Sequence, residues 1–380
     1  MKPGAGKKKS VLVAMSGGVD SSVAALLLKE AGYDVVGITM RLWVDPLAEE
    51  RAGEALRGCC SLESVTDAAK VAARLDIPHY TLNMKELFYK DIVCNFKEEY
   101  RQGRTPNPCI ECNRSLKFSA LLDKAEALGL DYLATGHYCR ITRDSSAGIY
   151  RLFKGLDPNK DQSYMLYMLG QKELARTLFP LGELTKSEVR KIAEEKGLLV
   201  AGKAESQEIC FIPDNDYRAF LERECPEALG SGEIVSTDGE VLGHHRGIAF
   251  YTIGQRKGLG LTAAQPLYVI RLEPELNRVV VGRADETFCS GLLAGSLNFV
   301  SGKKPLDEMA IEVKVRYRAA AVPARLLPPE NGMARIIFTE AQRAIAPGQS
   351  AVFYQADEVI GGGLIESAIE CDKGRFNKNV

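Results

Sequence analysis

Short apolar runs alternate with longer amphipathic segments over roughly the first half of the chain. Continuous apolar runs predict buried strands, and apolar positions recurring every three or four residues predict helices. This alternation predicts an α/β fold in which helices cover a parallel sheet, with sites at the carboxyl ends of strands. The predicted strands are Ser10 to Met15, Asp34 to Trp43, His79 to Leu82 and Asp131 to Thr135; the predicted helices are Val19 to Ala31, Leu62 to Leu75, Met84 to Arg101, Arg114 to Leu128 and, from a Thr185–Glu188 capping box, a segment ending at Lys196.

The pattern changes after about residue 215, where short β-branched runs appear between glycines and prolines. Such runs predict β-rich modules. We therefore expect three domains, at 1–215, 216–290 and 291–380. The predicted strands of the last two are Gly232 to Ser236, Leu267 to Arg271, Val279 to Gly282, Ile311 to Tyr317, Arg335 to Thr339 and Ala351 to Tyr354.

Composition narrows the class of protein. The chain has 380 residues, 46% hydrophobic and 26% charged, which indicates a globular protein of two or three domains. Its net charge of -1 excludes a basic field over the whole molecule, so nucleic-acid binding must use local patches. No apolar run is long enough to cross a membrane, and the run after the basic N-terminus is too short for a signal peptide, so we expect a cytoplasmic protein without membrane contact.

The sharpest local motif is Ser16-Gly17-Gly18-Val19-Asp20-Ser21-Ser22, which follows a predicted strand and opens a predicted helix. Glycines allow a tight turn, and the helix N-terminus offers unpaired N–H groups to an anion. The motif is neither a Walker A loop nor a G-x-G-x-x-G dinucleotide loop. We expect a phosphate site in which Asp20 holds Mg²⁺ or orders the loop; the alternative is a polar turn with a serine-rich cap.

The ten cysteines are too sparse for a disulfide scaffold and suggest metal binding or catalysis in a reducing compartment. Cys109 and Cys112 form a C-x-x-C pair between two predicted helices, on what we expect to be a proline-stiffened loop, and Cys210 follows about a hundred residues later. The pair fits half of a zinc site, a redox dithiol or two ligands of an iron–sulfur cluster. The adjacent Cys59 and Cys60 are interpreted as non-catalytic.

The loop at Ser16–Ser22 resembles that of the ATP pyrophosphatase (PP-loop) superfamily. The whole ordered set of motifs, from about residue 10 to 370, resembles the tRNA-specific 2-thiouridylases (MnmA/TrmU family). Besides that loop, the set comprises Thr105 to Asn113, Ala134 to Tyr138, Lys160 to Tyr164, Glu205 to Cys210, Tyr251 to Gly258, Arg316 to Arg318 and Ala346 to Gln349.

The resemblance implies a Rossmann-like PP-loop catalytic domain, a small central β-containing domain and a C-terminal β-barrel. It also implies ATP- and Mg²⁺-dependent adenylation, then thiolation, of the wobble uridine in tRNAs for Lys, Glu and Gln, with sulfur from a persulfide carrier protein or a sulfide donor. Cys112 would be the nucleophile and Cys210 the persulfide carrier, with Cys109 and Asp20 also catalytic. ATP would be held by Ala14, Met15, Ser16, Gly17, Gly18, Val19, Asp20, Ser21, Met40 and Gly136; the target base or tRNA would be contacted by Asn107, Pro108, Cys109, His137, Lys160, Asp161, Gln162, Arg316, Tyr317 and Gln349.

One position departs from the best-known form of the family motif, which has Asp where this chain has Cys109. The thiols of Cys109, Cys112 and Cys210 could instead hold a 4Fe–4S cluster with one open iron for an incoming sulfide. Two mechanisms are therefore open: a persulfide on Cys210 assisted by Cys112, or sulfur transfer from a three-cysteine cluster. The overall reaction is the same in both.

Two alternative functions agree with parts of the sequence. Another adenylating pyrophosphatase, such as an amidotransferase or a 4-thiouridine synthetase, would be accompanied by a glutaminase partner or a rhodanese-like domain, and the sequence contains neither. A catalytically silent tRNA- or metal-binding module would not need Asp20, Cys112 and Cys210. His137 follows a predicted strand end, where sites gather, whereas His244 and His245 are interpreted as a turn pair.

Overall fold

The computed structural model describes residues 8–47, 50, 62–203, 209–212, 216–226 and 229–371. Cys59, Cys60 and the Glu205–Glu208 part of the last cysteine motif lie outside the described residues. A five-stranded parallel sheet with strand order β3-β2-β1-β4-β7 forms the centre of the N-terminal part. Its strands are β1 (Ser10–Ala14), β2 (Asp34–Arg41), β3 (His79–Asn83), β4 (Tyr132–Ala134) and β7 (Thr177–Leu178).

Helices pack on both faces of this sheet, because its central strands are apolar on both sides: Val11, Leu12 and Val13 are all fully buried, and Leu12 packs in a different core cluster from its two neighbours. Two of the helices are long and contain π-helical turns. The helices are α1 (Val19–Glu30), α2 (Leu62–Arg74), α3 (Lys85–Phe88, π-helical Tyr89–Val93 and Cys94–Arg101), α4 (Pro108–Cys112, π-helical Asn113–Ala120 and Leu121–Ala127), α5 (Gln171–Ala175), α6 (Lys186–Glu195) and α7 (Tyr217–Glu224).

The start of α4 corrects a prediction. The C-x-x-C pair was expected on a loop, with a helix only from Arg114, but the helix begins at Pro108 and carries both cysteines. The side chain of Asn107 accepts a hydrogen bond from the Ile110 N–H, and proline is tolerated at the first helical position because its missing N–H has no partner there. The two prolines were interpreted as loop residues, whereas Pro108 starts the helix.

A hairpin that the pattern did not reveal follows β4. Its strands, β5 (Cys139–Asp144) and β6 (Ile149–Lys154), are antiparallel and belong to the same sheet as the C-terminal strands, not to the parallel sheet. Strand β6 then pairs with the last strand of the C-terminal part, Leu152 with Val359 and Phe153 with Glu358. The hairpin therefore joins the N-terminal part of the protein to the C-terminal part.

The central module is a four-stranded sheet with strand order β10-β11-β8-β9. Its strands are β8 (Gly232–Ser236), β9 (Val241–His245), β10 (Tyr268–Glu273) and β11 (Arg278–Gly282). Strand β9 was not predicted, and it corrects the interpretation of His244 and His245 as a turn pair. His245 is buried and its Nε2 lies 3.1 Å from the Asn277 carbonyl oxygen, so it has a structural role.

The C-terminal part is a closed antiparallel barrel of six strands, in the order β12-β15-β14-β13-β16-β17, with β17 returning to β12. Its strands are β12 (Phe288–Phe299), β13 (Met309–Lys314), β14 (Val322–Leu326), β15 (Ala334–Arg343), β16 (Ser350–Gln355) and β17 (Glu358–Glu370). The pattern missed β12, β14 and β17. Strand β13 ends at Lys314, so Arg316 and Tyr317 lie in the turn after it and not in a strand as predicted.

Within the described part of the chain, no helix is both long and apolar enough to span a membrane.

Candidate active site

A cavity of about 1840 Å³ opens at the carboxyl ends of β1, β2 and β4. Strands β2 and β4 flank β1 on opposite sides, so chain connections leave the sheet in opposite directions on either side of this point. Open parallel sheets bind ligands at such a switch point. The barrel covers the other side of the cavity through Lys314, Arg316 and Tyr317.

The Ser16–Ser22 segment turns tightly at the end of β1. Gly17 has a φ of 69°, and a side chain there would lie 2.2 Å from the Ser64 carbonyl oxygen. Ser21 Oγ accepts a hydrogen bond from the Ser16 N–H, and Ser22 Oγ donates to the Gly18 carbonyl. Gly136, after β4, approaches so closely that an added Cβ would lie 2.8 Å from the Ser21 nitrogen. The strand ends and α1 thus form a narrow backbone cradle suited to phosphate.

Asp20 is held by two partners from other elements. Lys186 Nζ, at the start of α6, lies 2.7 and 2.8 Å from its two carboxylate oxygens, and the Tyr138 hydroxyl donates to it at 2.6 Å. Asp20 therefore orders the loop, which is one of the two roles expected for it. Sequence reasoning missed Lys186; its place in a capping box was noted only as a helix start.

The three cysteines of interest all line this cavity. Cys109 is exposed on the first turn of α4, Cys112 is 9% exposed one turn later, and Cys210 is half-buried. The segment that carries Cys210 is anchored by its neighbour Phe211, which is fully buried with ring centroids 5.3 to 6.4 Å from those of four other aromatic residues. Its carbonyl also accepts a hydrogen bond from the Asp45 N–H.

The arrangement of potential metal ligands bears on the expected iron–sulfur cluster and on Mg²⁺. No set of three His, Cys, Asp or Glu side chains among the described residues is placed to hold a metal ion. Cys109, Cys112 and Cys210 therefore do not form a ready cluster site in this arrangement. For Mg²⁺, both carboxylate oxygens of Asp20 already contact Lys186 Nζ, so this carboxylate is occupied by an ion pair in the structure.

His137 is buried in the cavity wall beyond β4. Its Nδ1 lies 2.7 Å from Thr135 Oγ1, and its ring packs against Phe118 and Phe179 at centroid distances of 5.9 and 6.1 Å. Burial, together with the nearby Lys117 cation, holds the pKa of His137 well below its usual value. The lowered pKa favours the neutral imidazole, which can hydrogen-bond in the cavity wall.

The Lys160–Gln162 segment also lines the cavity, and two of its side chains are fixed by hydrogen bonds from backbone N–H groups. Asp161 accepts hydrogen bonds from the Gly155 and Ser163 N–H groups, and Gln162 Oε1 accepts one from the Tyr138 N–H. Asp161 and Gln162 thus shape the wall, while Lys160 adds positive charge to it.

Arg316 and Tyr317 bring the barrel to the site. Arg316 Nη2 donates to the carbonyls of Ile253 in the central module and Ala344 in the barrel, and burial lowers the pKa of its guanidinium. The Tyr317 ring lies 6.0 Å from Tyr164, with Lys314 Nζ 5.9 Å from its centroid. A basic group beside an aromatic face suits a nucleic-acid base.

Some predicted site residues do not line the cavity: Gly17 underlies the phosphate cradle, Asn107 caps α4, and Gln349 lies on the barrel. The Gln349 amide donates to the carbonyls of Thr105 and Pro106 at 2.9 and 3.3 Å. Gln349 therefore contacts the segment that immediately precedes the cysteine helix α4.

Charge is distributed unevenly around the cavity. Nine lysine and arginine side chains line it against four described carboxylates, although the whole chain has a net charge of -1. The positive residues are Lys117, Arg140, Lys154, Lys160, Lys186, Lys203, Lys314, Arg316 and Arg318. A cavity with an anion cradle and a basic wall can bind a nucleoside triphosphate together with a polyanion. Its thiols can act there as sulfur nucleophiles.

Three family models match consecutive parts of the chain. Residues 9–214 match the tRNA methyl transferase HUP domain, residues 218–283 the tRNA methyl transferase PRC-barrel domain, and residues 289–365 the aminomethyltransferase beta-barrel domain.

The names of full-length relatives differ from those of the family models. The chain is 52% identical over 362 residues to tRNA-specific 2-thiouridylase MnmA of Carboxydothermus hydrogenoformans, covering 95% of this chain and 99% of the relative. It is 50% identical over 363 residues to the protein of the same name from Clostridium botulinum strain Alaska E43, again covering 95% and 99%. Among solved structures, the U34-tRNA thiolase NcsA from Methanococcus maripaludis with its 4Fe–4S cluster is 20% identical, covers 57% of this chain and 67% of that one, and superposes with a TM-score of 0.34. That superposition is too loose to support an argument about this chain.

Proposed function

The chain belongs to the tRNA-specific 2-thiouridylases, a family of sulfurtransferase enzymes, and from this premise we propose that it thiolates C2 of the wobble uridine in tRNAs for Lys, Glu and Gln at the cost of ATP. The observation that supports this proposal most directly is the single cavity that contains the phosphate cradle, Cys112 and Cys210. Methyl transfer, which the family-model names suggest, does not require a triphosphate cradle.

The first step of the proposed reaction is adenylation. The uridine O2 attacks the α-phosphorus of ATP, a new O2–P bond forms, and the bond to pyrophosphate breaks. The N–H groups around Gly18 and the N-terminus of α1 face the phosphates and stabilise the charge on the leaving pyrophosphate. Mg²⁺, when bound, would neutralise phosphate charge.

The second step is sulfur transfer. We propose that Cys210 receives a persulfide from a sulfur-carrier protein, and that its terminal sulfur attacks C2 as the C2–O bond to AMP breaks. The Cys112 thiolate then attacks Cys210 Sγ, which breaks the persulfide S–S bond, releases the 2-thiouridine and leaves a Cys112–Cys210 disulfide for a thiol reductant. We favour this route because it uses two thiols of the cavity, whereas a cluster needs at least three metal ligands, and no set of three such side chains among the described residues is placed to hold a metal. Cys109, exposed beside Cys112, would lie against the base.

Pyrophosphate release and 2-thiouridine formation, followed together with ATP, a persulfide donor and a cognate tRNA, test the proposal. We expect tRNA to stimulate pyrophosphate release in the wild type and in Cys210→Ser, and thiouridine to form only in the wild type. Cys94→Ser, an exposed cysteine outside the cavity, is the matched control and should thiolate normally. Pyrophosphate release that tRNA does not stimulate would contradict the proposal.

Iron and acid-labile sulfide, measured after anaerobic purification of the wild type and Cys109→Ala, decide the sulfur route. An iron-free wild type that thiolates from a persulfide supports the route proposed above. About four irons per chain, lost together with activity in the variant, would establish the cluster route instead.

A further inference from the structure

Asn113 carries a buried amide oxygen without a partner. The residue is 2% exposed, and its Nδ2 donates to the Met165 carbonyl at 2.9 Å. Its Oδ1 is the single buried side-chain oxygen or nitrogen, among the residues that the structure describes, that has no hydrogen-bond partner. The assignment of the two amide atoms follows from this contact, because the flipped amide would set two oxygens against each other. Native proteins rarely leave such a group unpaired, and a bound water, an ion or a ligand usually completes it.

The position of Asn113 indicates which ligand that is. Asn113 directly follows Cys112, opens the π-helical part of α4 and lines the same cavity as both Cys112 and Cys210. The ATP phosphates would lie at the other side of this cavity, in the cradle at the ends of β1 and β4. π-Helical turns within α-helices are frequent at functional sites, where they shift a side chain out of the regular helical register.

We propose that Asn113 Oδ1 accepts a hydrogen bond from N3–H of the target uracil and thereby selects uridine; this inference rests on the proposed function. N3 is bonded to C2, the atom to which sulfur would be transferred with the help of Cys112 and Cys210. N3–H is also the one donor on the Watson–Crick edge of uracil, whose O2 and O4 are acceptors. Cytosine has an unprotonated N3, which Oδ1 would repel.

The same hydrogen bond would assist the chemistry. When O2 bonds to phosphorus, positive charge develops on the ring and the N3–H group becomes a stronger donor. An acceptor already fixed in place then gains more in the transition state than in the ground state. The base has to displace the side chains that seal Oδ1 from water, and Met165, which lines the same wall, is a flexible thioether that can move aside.

Anticodon stem-loops with uridine, 3-deazauridine or cytidine at the target position test the contact on the wild-type protein. 3-Deazauridine replaces N3–H by C–H at nearly the same shape; its 4-oxygen also becomes a hydroxyl, and the Asn113→Leu comparison below separates that change from the loss of the N3–H donor. We expect the uridine stem-loop to bind at least about tenfold more tightly than the other two, as for a buried hydrogen bond. Equal binding of uridine and 3-deazauridine would overturn the inference. This test uses only the wild-type protein, so it does not depend on whether a variant folds.

Asn113→Leu then assigns the discrimination to this side chain. It keeps the size and removes both polar atoms, so the preference for uridine over 3-deazauridine should fall to near one. Asn83→Leu makes the same chemical change at an exposed position outside the cavity and should keep the preference. An Asn113→Leu protein that still discriminates would overturn the inference.

Thiouridine formation on full-length tRNA by the wild type distinguishes a failure of the role of Asn113 from a failure of the proposed function. If thiouridine forms but uridine and 3-deazauridine bind equally, only the role of Asn113 fails. If no thiouridine forms, the proposed function and the role of Asn113 fail together.

Discussion

At the scale of single residues, the cavity depends on charged and polar groups that are fixed before any ligand arrives. The Asp20–Lys186 pair joins the phosphate loop to α6, and Tyr138 adds a third contact. Removing one member leaves the other charge without compensation in a partly buried place. The phosphate loop should therefore be sensitive to a residue distant from it in the chain.

Lys186→Met should lower the free energy of unfolding by about 2 kcal/mol, less than for fully buried pairs, because the Asp20 side chain is 32% exposed. It should also lower kcat/KM for ATP at least about tenfold, because the loop loses its support. Urea unfolding and steady-state kinetics measure the two effects. Lys191→Met, on the same helix but exposed, should change neither, and equal effects of the two variants would refute the coupling.

The neutral His137 predicts a pH dependence of stability. Its pKa is lowered in the folded protein, so below about pH 6.5 the unfolded chain binds a proton that the folded chain does not. Stability should therefore fall as the pH falls below that value, by up to about 1.4 kcal/mol per pH unit from this residue. Urea unfolding at pH 7 and pH 5 should show a smaller loss for His137→Gln than for the wild type. An identical loss in both proteins would mean that His137 is not the residue responsible.

Sequence reasoning succeeded at this scale where a motif is contiguous. The strand, the glycine pair and the serines of the phosphate loop stand side by side in the chain, and the tight turn expected between the strand and the helix is confirmed at Gly17. Lys186 was missed because its partner Asp20 is 166 residues away, and no local pattern marks such a pair. The roles assigned to individual residues in ATP and tRNA binding stay predictions.

At the scale of elements, the cysteine helix α4 is the part that the sequence misplaced. A cap and a proline at its first position start the helix before the cysteines, so Cys109 and Cys112 lie about one turn apart on a rigid support. Strand β7 was missed because it has only two residues, and β5, β6, β9, β12, β14 and β17 were missed because polar residues, glycine or proline interrupt their apolar positions. The α/β alternation itself was predicted correctly.

Asn107→Ala should remove the cap of α4 and lower the free energy of unfolding by about 1 kcal/mol. Because the cap fixes the turn that carries Cys109, thiouridine formation should fall more than the affinity for ATP. Asn107→Asp retains a carboxylate that can cap the helix and should recover most of the stability. Equal stability of the alanine and aspartate variants, measured by urea unfolding, would show that the cap contributes nothing.

At the scale of the whole molecule, the barrel holds the segment that precedes α4. Gln349 donates to the Thr105 and Pro106 carbonyls, the Thr105 N–H donates to the Pro347 carbonyl, and Arg104 pairs with Glu366 at 2.7 Å. The barrel therefore positions the cysteine helix as well as covering the cavity.

Gln349→Ala should lower kcat for thiolation several-fold and leave the KM for tRNA unchanged, because the lost contacts support the catalytic helix. Steady-state kinetics at varied tRNA concentration separate the two parameters. A raised KM with unchanged kcat would instead place Gln349 on the RNA, which is the role that the family resemblance implied.

The basic cavity wall predicts a salt-dependent affinity for tRNA. Arg318→Gln should reduce the slope of log affinity against log salt by about 0.7 to 0.9, as for one lost phosphate contact. Arg325→Gln, an exposed arginine of β14 outside the cavity that pairs with Glu308, should leave the slope unchanged. Filter binding between low and moderate salt measures both slopes, and equal slopes in all three proteins would exclude Arg318 from the interface.

The pairing of β6 with β17 has a consequence for dissecting the protein. A catalytic part expressed without the barrel would expose the outer side of β6, where Leu152 and Phe153 now meet Val359 and Glu358. An uncovered strand with unpaired N–H and C=O groups is a template for aggregation. Insolubility of such a truncated protein would then report a bare sheet edge, and it would say nothing about whether the catalytic part can form its own sheet and cradle.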